Sequence, residues 1–190
     1  MSATAASTEI DARLRARLVA HIRDVPDFPA QGVLFKDITP LLADARAFRD
    51  CVDALAAPWR SDKIDAVCGI EARGFIFGAA LARVLDVGFV PLRKAGKLPV
   101  AAIGVDYALE YGRARLELDP TLIAEGEPVL LVDDLLATGG TALAGAELLR
   151  QAGARVDRAL FVIDLPELGG GAKLREAGIE PWTLVAFEGH

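Results

Sequence analysis

The chain has 190 residues, of which 53% are hydrophobic and 25% charged, and its formal net charge at pH 7 is −6. This length and composition exclude a disordered protein, and we expect one domain over residues 1–190 with a sizeable core. The negative charge argues against a nucleic-acid partner, because binding to a phosphate backbone requires an excess of Lys and Arg.

The cysteines and the N-terminus suggest a compartment. Cys51 and Cys68 are the only cysteines, and no histidine lies near either of them in sequence, so neither a zinc site nor a disulfide framework is indicated. The first residues lack the basic and apolar regions of a secretory signal, and no apolar run approaches the roughly 18 residues of a membrane span. We therefore expect a cytoplasmic protein without a membrane partner, with residues 1–8 disordered.

The first predicted element is an amphipathic helix. Ile10, Leu14, Leu18 and Ile22 recur at every fourth position behind Thr8, which is a candidate N-cap. The segment DVPDFPAQGV that follows is expected to be a loop.

Strand and helix patterns then alternate toward the end of the chain. A second helix is predicted over residues 43–57. The predicted strands are the apolar runs IDAVCGI, DVGFVPL, PVLLVDD, RALFVIDL and WTLVAF. The predicted helices among them are GFIFGAALARVL and TALAGAELLRQAG. This alternation indicates an α/β fold in which helices cover both faces of a mostly parallel sheet.

One basic segment interrupts the alternation. RKAGKLPVAAIG, at residues 93–104, contains glycine and basic residues, so we expect a mobile loop there. VDYALEYGRARLEL, which follows it, alternates with a period of two around Gly112 and predicts a β-hairpin.

The stretch VLLVDDLLATGGT, at residues 129–141, joins a buried strand to a helix through a glycine turn. Ligands of parallel sheets bind at such loops, beyond the carboxyl ends of the strands. Backbone N–H groups exposed by Gly139 and Gly140, the hydroxyls of Thr138 and Thr141, and the positive end of the helix would together form a cradle for a phosphate monoester.

Two aspartates directly precede this cradle. Asp133 and Asp134 would repel a phosphate, so we expect them to accept hydrogen bonds from hydroxyls a few ångströms away, as a ribose 5-phosphate would provide. The patterns of a nucleotide P-loop and of a dinucleotide fingerprint are both absent. The purely structural alternative is a capped turn, in which two adjacent carboxylates repel each other with nothing bound to them.

VLLVDDLLATGGT closely resembles the signature with which type I phosphoribosyltransferases bind 5-phosphoribosyl 1-pyrophosphate (PRPP). Three further stretches resemble the members of that family that act on adenine. They are PDFPAQGVLFKDITP at 26–40, GIEARGFIFG at 69–78, and RKAGKLP from 93 together with YALEYG from 107. The resemblance covers about residues 10 to 188, and residues 164–178 show no match.

The resemblance implies a type I phosphoribosyltransferase fold with a short N-terminal hood and a flexible catalytic loop. It implies transfer of the phosphoribosyl group from PRPP to adenine, which gives AMP and pyrophosphate. Mg²⁺ would be carried by PRPP or pyrophosphate without a direct protein ligand. A homodimer that shares loop residues across its interface is also implied.

The resemblance gives Arg73 and the hairpin catalytic roles. Arg73 would hold pyrophosphate beside a cis peptide bond between Glu71 and Ala72, and Glu110 would be the general acid or base toward the purine, oriented by Tyr111. The structural alternatives are a surface ion pair between Arg73 and Glu71 and a solvent-facing Glu110.

The basic loop would act on the leaving group. Arg93, Lys94 and Lys97 would neutralise pyrophosphate, some of them from the neighbouring subunit. Taken alone, such a cluster is usually a solvated surface.

The remaining implied residues contact adenine or the phosphate. Phe35 would stack on the base while the backbone of Leu34 and Lys36 reads its edge, and Leu135 would lie against it. Ala137 belongs to the phosphate loop. The alternative for Phe35 is a purely structural role.

Two functional alternatives remain. One is a phosphoribosyltransferase for xanthine, guanine or a pyrimidine. The other is a regulator that senses PRPP without catalysis. Such proteins usually add a helix-turn-helix or a basic RNA-facing surface, and we expect this chain to be too short for either.

Overall fold

The computed structural model describes residues 11–108 and 112–189. The helices in these residues are α1 (Ala12–Ala20), α2 (Thr39–Ala43), α3 (Ala45–Ala56), α4 (Arg73–Leu85), α5 (Gly140–Gln151) and α6 (Gly170–Glu176). The strands are β1 (Arg23–Pro26), β2 (Leu34–Asp37), β3 (Ala66–Ile70), β4 (Gly88–Lys94), β5 (Ile103–Ala108), β6 (Arg113–Leu118), β7 (Pro128–Leu136), β8 (Arg155–Asp164) and β9 (Glu180–Ala186).

Seven strands form the main sheet, in the order β5-β6-β4-β3-β7-β8-β9. The strands from β4 to β9 in this order pair in parallel, whereas β5 and β6 are an antiparallel hairpin on the β4 edge. The predicted α/β fold with a mostly parallel sheet is therefore confirmed.

Helices cover both faces of this sheet. Successive side chains of a strand point to opposite faces, and here they pack into two separate hydrophobic clusters. Val67 of β3 packs with Leu55 of α3 and Phe77 of α4 on one face. Cys68 packs with Leu148 of α5 on the other face. The continuous apolar runs of the sequence are thus strands buried on both sides.

The N-terminal region differs from its prediction in two ways. Helix α1 begins behind Asp11, whose carboxylate accepts a hydrogen bond from the Arg13 amide at 3.1 Å, and the proposed cap Thr8 lies outside the described residues. The first three residues of the predicted loop DVPDFPAQGV instead belong to β1, which pairs antiparallel with β2. Its prolines concealed a short strand, which is tolerated here because the two-stranded sheet has open edges.

Two other segments are also more regular than predicted. Arg93 and Lys94 extend β4 and pair with β6, so the basic loop spans only residues 95–102. Helix α6 occupies part of residues 164–178, where we predicted only the strand end. In the described part of the chain, no helix is both long and apolar enough to cross a membrane.

Candidate active site

The strand order places a crevice between β3 and β7. The chain leaves β3 toward β4 on one side and later returns as β7 on the other side of β3. In open parallel sheets, the loops that follow two such strands diverge and leave room for a ligand. The turn after β3 and the loop after β7 are the two loops at this point.

The end of β7, the loop that joins it to α5, the start of α5 and Arg73 at the start of α4 line one cavity of about 200 Å³. Its lining includes nine residues selected from the sequence, namely Arg73, Asp133, Asp134, Leu135, Ala137, Thr138, Gly139, Gly140 and Thr141. Ligand pockets usually begin near 300 Å³. The cavity thus matches part of a nucleotide-sized ligand, and the rest would extend beyond it.

The loop from β7 to α5 has the backbone of an anion site. Gly139 has a φ of +81°, a conformation that glycine adopts without steric cost, and this turn starts α5 at Gly140. No side chain caps the helix, so the N–H groups of its first turn are free to bind a ligand. The positive end of the helix dipole adds to this preference for an anion.

The two aspartates lie beside this anion site, where Asp134 is buried and Asp133 is half-buried. Oδ1 of Asp133 accepts a hydrogen bond from the Asp134 amide at 2.9 Å, whereas Oδ2 of Asp134 has no hydrogen-bond donor among the described residues. Burial raises the pKa of both carboxyls, and their mutual repulsion adds to the rise for Asp133. A buried oxygen without a donor is costly and suits a site that receives a ligand hydroxyl.

Arg73 lies over this orphaned oxygen. Its Nε is 3.0 Å from Oδ2 of Asp134, yet the contact is not a directed hydrogen bond, and its side chain is 41% exposed. The Glu71–Ala72 peptide bond just before it is cis, as the resemblance implied. The alternative pairing of Arg73 with Glu71 is wrong, because Glu71 pairs with Arg93 at 3.0 Å.

Glu71 anchors the start of the basic loop. Its Oε2 accepts hydrogen bonds from Nε of Arg93 and from the Lys94 amide, at 3.0 and 2.9 Å. Burial raises the pKa of Glu71, but these two hydrogen bonds and the positive charges of Arg93 and Lys97 together outweigh that effect, so the pKa lies below its ordinary value. Arg93 is therefore engaged with Glu71, whereas Lys94 and Lys97 are exposed and available to a ligand.

Limited proteolysis should report on this loop. We expect trypsin to cut after Lys97 in the free protein, because residues 94–97 are exposed, and we expect PRPP with Mg²⁺ to suppress the cut by drawing the basic loop onto its pyrophosphate. Cleavage time courses with and without PRPP, with ribose 5-phosphate as the control that lacks pyrophosphate, measure the effect. Equal cutting in all three samples would contradict it.

The β1–β2 hairpin brings an aromatic face to the cavity. The Arg73 guanidinium lies 5.3 Å from the centre of the Phe35 ring, and Phe28 contacts that ring edge-on at 5.1 Å. The Lys36 side chain is buried, and its ammonium donates a hydrogen bond to Oδ1 of Asp24 at 2.7 Å. Only the backbone of Lys36 is then left to contact a base.

Three residues near the site were not selected from the sequence. Phe28 stands within the quoted segment PDFPAQGVLFKDITP, but its contact with Phe35 depends on the hairpin that we read as a loop. Gly170 and Lys173 belong to α6, for which the glycine run at 169–171 was the only signal. Glu110 and Tyr111, the predicted acid or base and its partner, lie outside the described residues.

The sheet, the crevice and the phosphate cradle are those of a type I phosphoribosyltransferase fold. Residues 41–170 match the family model described as phosphoribosyl transferase domain. The adenine phosphoribosyltransferase of Novosphingobium aromaticivorans is 61% identical over 169 residues, which are 89% of this chain and 95% of that protein. The enzyme of that name from Methylobacterium nodulans is 55% identical over 95% of this chain and all of its own length.

Solved structures agree with these relatives. Adenine phosphoribosyltransferase from Rhodothermus marinus superimposes with a TM-score of 0.87 at 43% identity, covering 93% of this chain and 100% of that one. The Saccharomyces cerevisiae enzyme, solved with an imino-altritol bisphosphate and adenine, gives 0.86 at 39% identity, over 92% and 99% of the two chains. The chain belongs to the adenine phosphoribosyltransferase family.

Proposed function

We propose that the chain transfers the 5-phosphoribosyl group of PRPP to adenine, giving AMP and pyrophosphate in purine salvage. The observation that carries this function is the cavity between β3 and β7, where a phosphate cradle, two adjacent carboxylates and an arginine meet. The relatives named adenine phosphoribosyltransferase and the structure with bound adenine support the same reaction. The activity is that of a pentosyltransferase.

The cradle and the carboxylates would hold the ribose 5-phosphate. We assign the 5′-phosphate to the backbone of the loop formed by residues 137–141, because its helix end is uncapped. We assign the ribose hydroxyls to Asp133 and Asp134, since Oδ2 of Asp134 has no donor. These contacts would fix C1 of the ribose relative to the base, which is the positioning that such a displacement requires.

Pyrophosphate leaves as an anion while the ribose gains positive charge. Arg73, Lys94 and Lys97 would bind this leaving group, and Arg93 would join them only if its pair with Glu71 opened. Preorganised charges of this kind lower the barrier where charge develops. The carboxylates of Asp133 and Asp134 would favour the positive ribose, once Arg73 turns from Asp134 toward the pyrophosphate.

Mg²⁺ is the proposed cofactor, bound to PRPP or pyrophosphate. Among the described residues, no group of three or more His, Cys, Asp or Glu side chains could hold a metal ion, and two carboxylates line the cavity. This arrangement fits an ion that keeps most of its water and binds through substrate phosphates. When bound, Mg²⁺ would supply charge neutralisation on the pyrophosphate.

Adenine would lie between the β1–β2 hairpin and the end of β7. Phe35 would stack on the ring, Leu135 would face it, and the backbone of Leu34 and Lys36 would read its edge. Support comes from the position of Phe35 beside Arg73 at the rim of the cavity. Proton transfer at the purine is assigned to Glu110, with Tyr111 as its orienting partner, on the resemblance of YALEYG alone.

The assembly and location are proposals of the same kind. We propose a homodimer in which loop residues of one subunit reach the site of the other. We also propose a cytoplasmic location, because both cysteines are buried free thiols, as expected in a reducing compartment.

A panel of bases tests the proposed reaction. With PRPP and Mg²⁺, we expect kcat/KM for adenine to exceed that for guanine, hypoxanthine and xanthine by at least about 10³-fold, because a mismatched edge leaves buried polar groups unpaired. Pyrophosphate release is the measurement. Apolar shape alone gives roughly 10- to 200-fold discrimination.

The outcomes separate the alternatives. A ratio within about tenfold would replace the adenine assignment with a broader purine phosphoribosyltransferase. PRPP binding without turnover of any base would instead support a sensing regulator. Phe35→Ala should lower kcat/KM for adenine and leave PRPP affinity nearly unchanged.

A further inference from the structure

Helix α6 contacts the phosphate loop through two carbonyl groups. The Gly170 amide donates a hydrogen bond to the Ala137 carbonyl oxygen at 3.0 Å. The Lys173 ammonium donates to the Thr138 carbonyl oxygen at 3.1 Å. Successive carbonyls of the loop are therefore both bound from one short helix.

Binding a carbonyl also fixes the N–H of the same peptide unit. In a trans peptide the C=O and N–H bonds are antiparallel, and neither the Ala137–Thr138 nor the Thr138–Gly139 bond is cis. Holding the Ala137 oxygen therefore directs the Thr138 N–H away from the Gly170 amide, and holding the Thr138 oxygen directs the Gly139 N–H away from the Lys173 ammonium. Both residues line the cavity in which we place the 5′-phosphate.

The second of these contacts differs from the first because it carries a charge. A hydrogen bond from an ammonium is stronger than one from an amide, and it polarises the peptide unit so that its N–H becomes a better donor. Lys173 is exposed, so its ammonium makes this contact with little loss of hydration. Its contact lies 35 residues away along the chain, so it is not local helix geometry.

We propose that Lys173 is a positioning residue for the 5′-phosphate of PRPP and AMP, acting through the Thr138–Gly139 peptide unit. It holds the Gly139 N–H toward the phosphate and strengthens it as a donor, without touching the ligand itself. This inference rests on the proposed function, because it concerns the phosphate end of the same site.

The experiment measures binding of ribose 5-phosphate and of Mg²⁺-pyrophosphate by calorimetry, together with KM for PRPP and for adenine. For Lys173→Met we expect ribose 5-phosphate to bind about three- to tenfold more weakly, and KM for PRPP to rise by a similar factor. Pyrophosphate affinity and KM for adenine should stay within about twofold of wild type. A merely structural role would weaken all four together.

Two variants serve as controls. Lys173→Arg keeps a charged donor and should restore most of the affinity for ribose 5-phosphate. Lys63→Met removes an exposed lysine just before β3, at the opposite end of that strand from the cavity, and should match wild type. Thermal unfolding of each variant establishes that it is folded.

The results distinguish this inference from the function on which it rests. Wild-type binding of ribose 5-phosphate with no loss in Lys173→Met would overturn the role of Lys173 alone. Equal weakening of ribose 5-phosphate and pyrophosphate would overturn it as well. A wild-type protein that bound neither PRPP nor ribose 5-phosphate would overturn the proposed function, and this inference with it.

Discussion

Asp134→Asn should weaken PRPP binding about 10- to 100-fold and leave the chain folded. A hydrogen bond between a charged group and a neutral one contributes roughly 1.5–3 kcal/mol. The buried Oδ2 of Asp134 is close to Arg73 but accepts no directed hydrogen bond from the described residues, so a ligand hydroxyl can supply one. Asn has the same shape but turns one oxygen into an amide donor. Calorimetric titration with PRPP measures the change, and Asp62→Asn, an exposed carboxylate before β3, is the control.

The same substitution should stabilise the unliganded protein at neutral pH. Burial raises the folded-state pKa of Asp133 and Asp134, so the folded chain binds more protons than the unfolded chain above the ordinary value of 3.8. The two carboxylates therefore lower the free energy of unfolding progressively as the pH rises from 3.8 to their raised folded-state pKa values. The destabilisation is largest at pH values above that range. We expect Asp134→Asn to increase the free energy of unfolding at pH 7 by roughly 1 kcal/mol, which corresponds to a rise in Tm of about 2–4 °C.

This gain should shrink as the pH approaches 4, where the wild-type pair becomes protonated. Unchanged PRPP affinity would remove Asp134 from the ribose site. A lower Tm for Asp134→Asn than for wild type at pH 7 would show instead that the negative charge of Asp134 stabilises the fold, contrary to the direction of its pKa shift.

Gly139→Ala should weaken PRPP binding strongly for two separate reasons. At a φ of +81° a Cβ costs about 1–2 kcal/mol. That Cβ would also lie 3.1 Å from the Cα and carbonyl oxygen of Gly170, so loop or helix must move. Because the cradle consists of backbone N–H groups, such a shift misdirects the donors themselves.

Gly126→Ala is the matched control for this change. Gly126 has a φ of +74°, but a Cβ there would meet no atom within 4 Å, and the residue lies in the turn before β7, at the other end of that strand from the cavity. Both variants should lose similar stability from the backbone, as measured by urea unfolding. If both variants retained wild-type PRPP affinity, the assignment of the phosphate to this loop would be wrong.

The sequence predicted those elements whose structure is determined by the residues of the same segment. Apolar runs such as IDAVCGI are continuous because β3 is buried on both faces, so the strand could be identified without its neighbours. The cradle at residues 137–141 could be located because a glycine turn at the start of a helix exposes backbone N–H groups that suit an anion.

The parts that were missed depend on contacts that are distant in sequence. Strand β1 has no apolar run of its own and exists because β2 pairs with it, so Pro26 within it and Pro29 after it suggested a loop. The role of Arg93 depends on Glu71, 22 residues earlier, and the contact of Lys173 with Thr138 spans 35 residues. Periodicity in one segment carries no information about such pairs.

The wide separation of the segments that meet at the cavity has a consequence for folding. Phe35, Arg73, Asp134 and Lys173 come from across the chain, so no single folding unit contains the site. Loop closure over such distances is slow, and PRPP can recognise only the completed native state. PRPP at about 100 times its Kd would then add about 2.7 kcal/mol to the stability of the whole chain, which makes the substrate a reporter of complete folding.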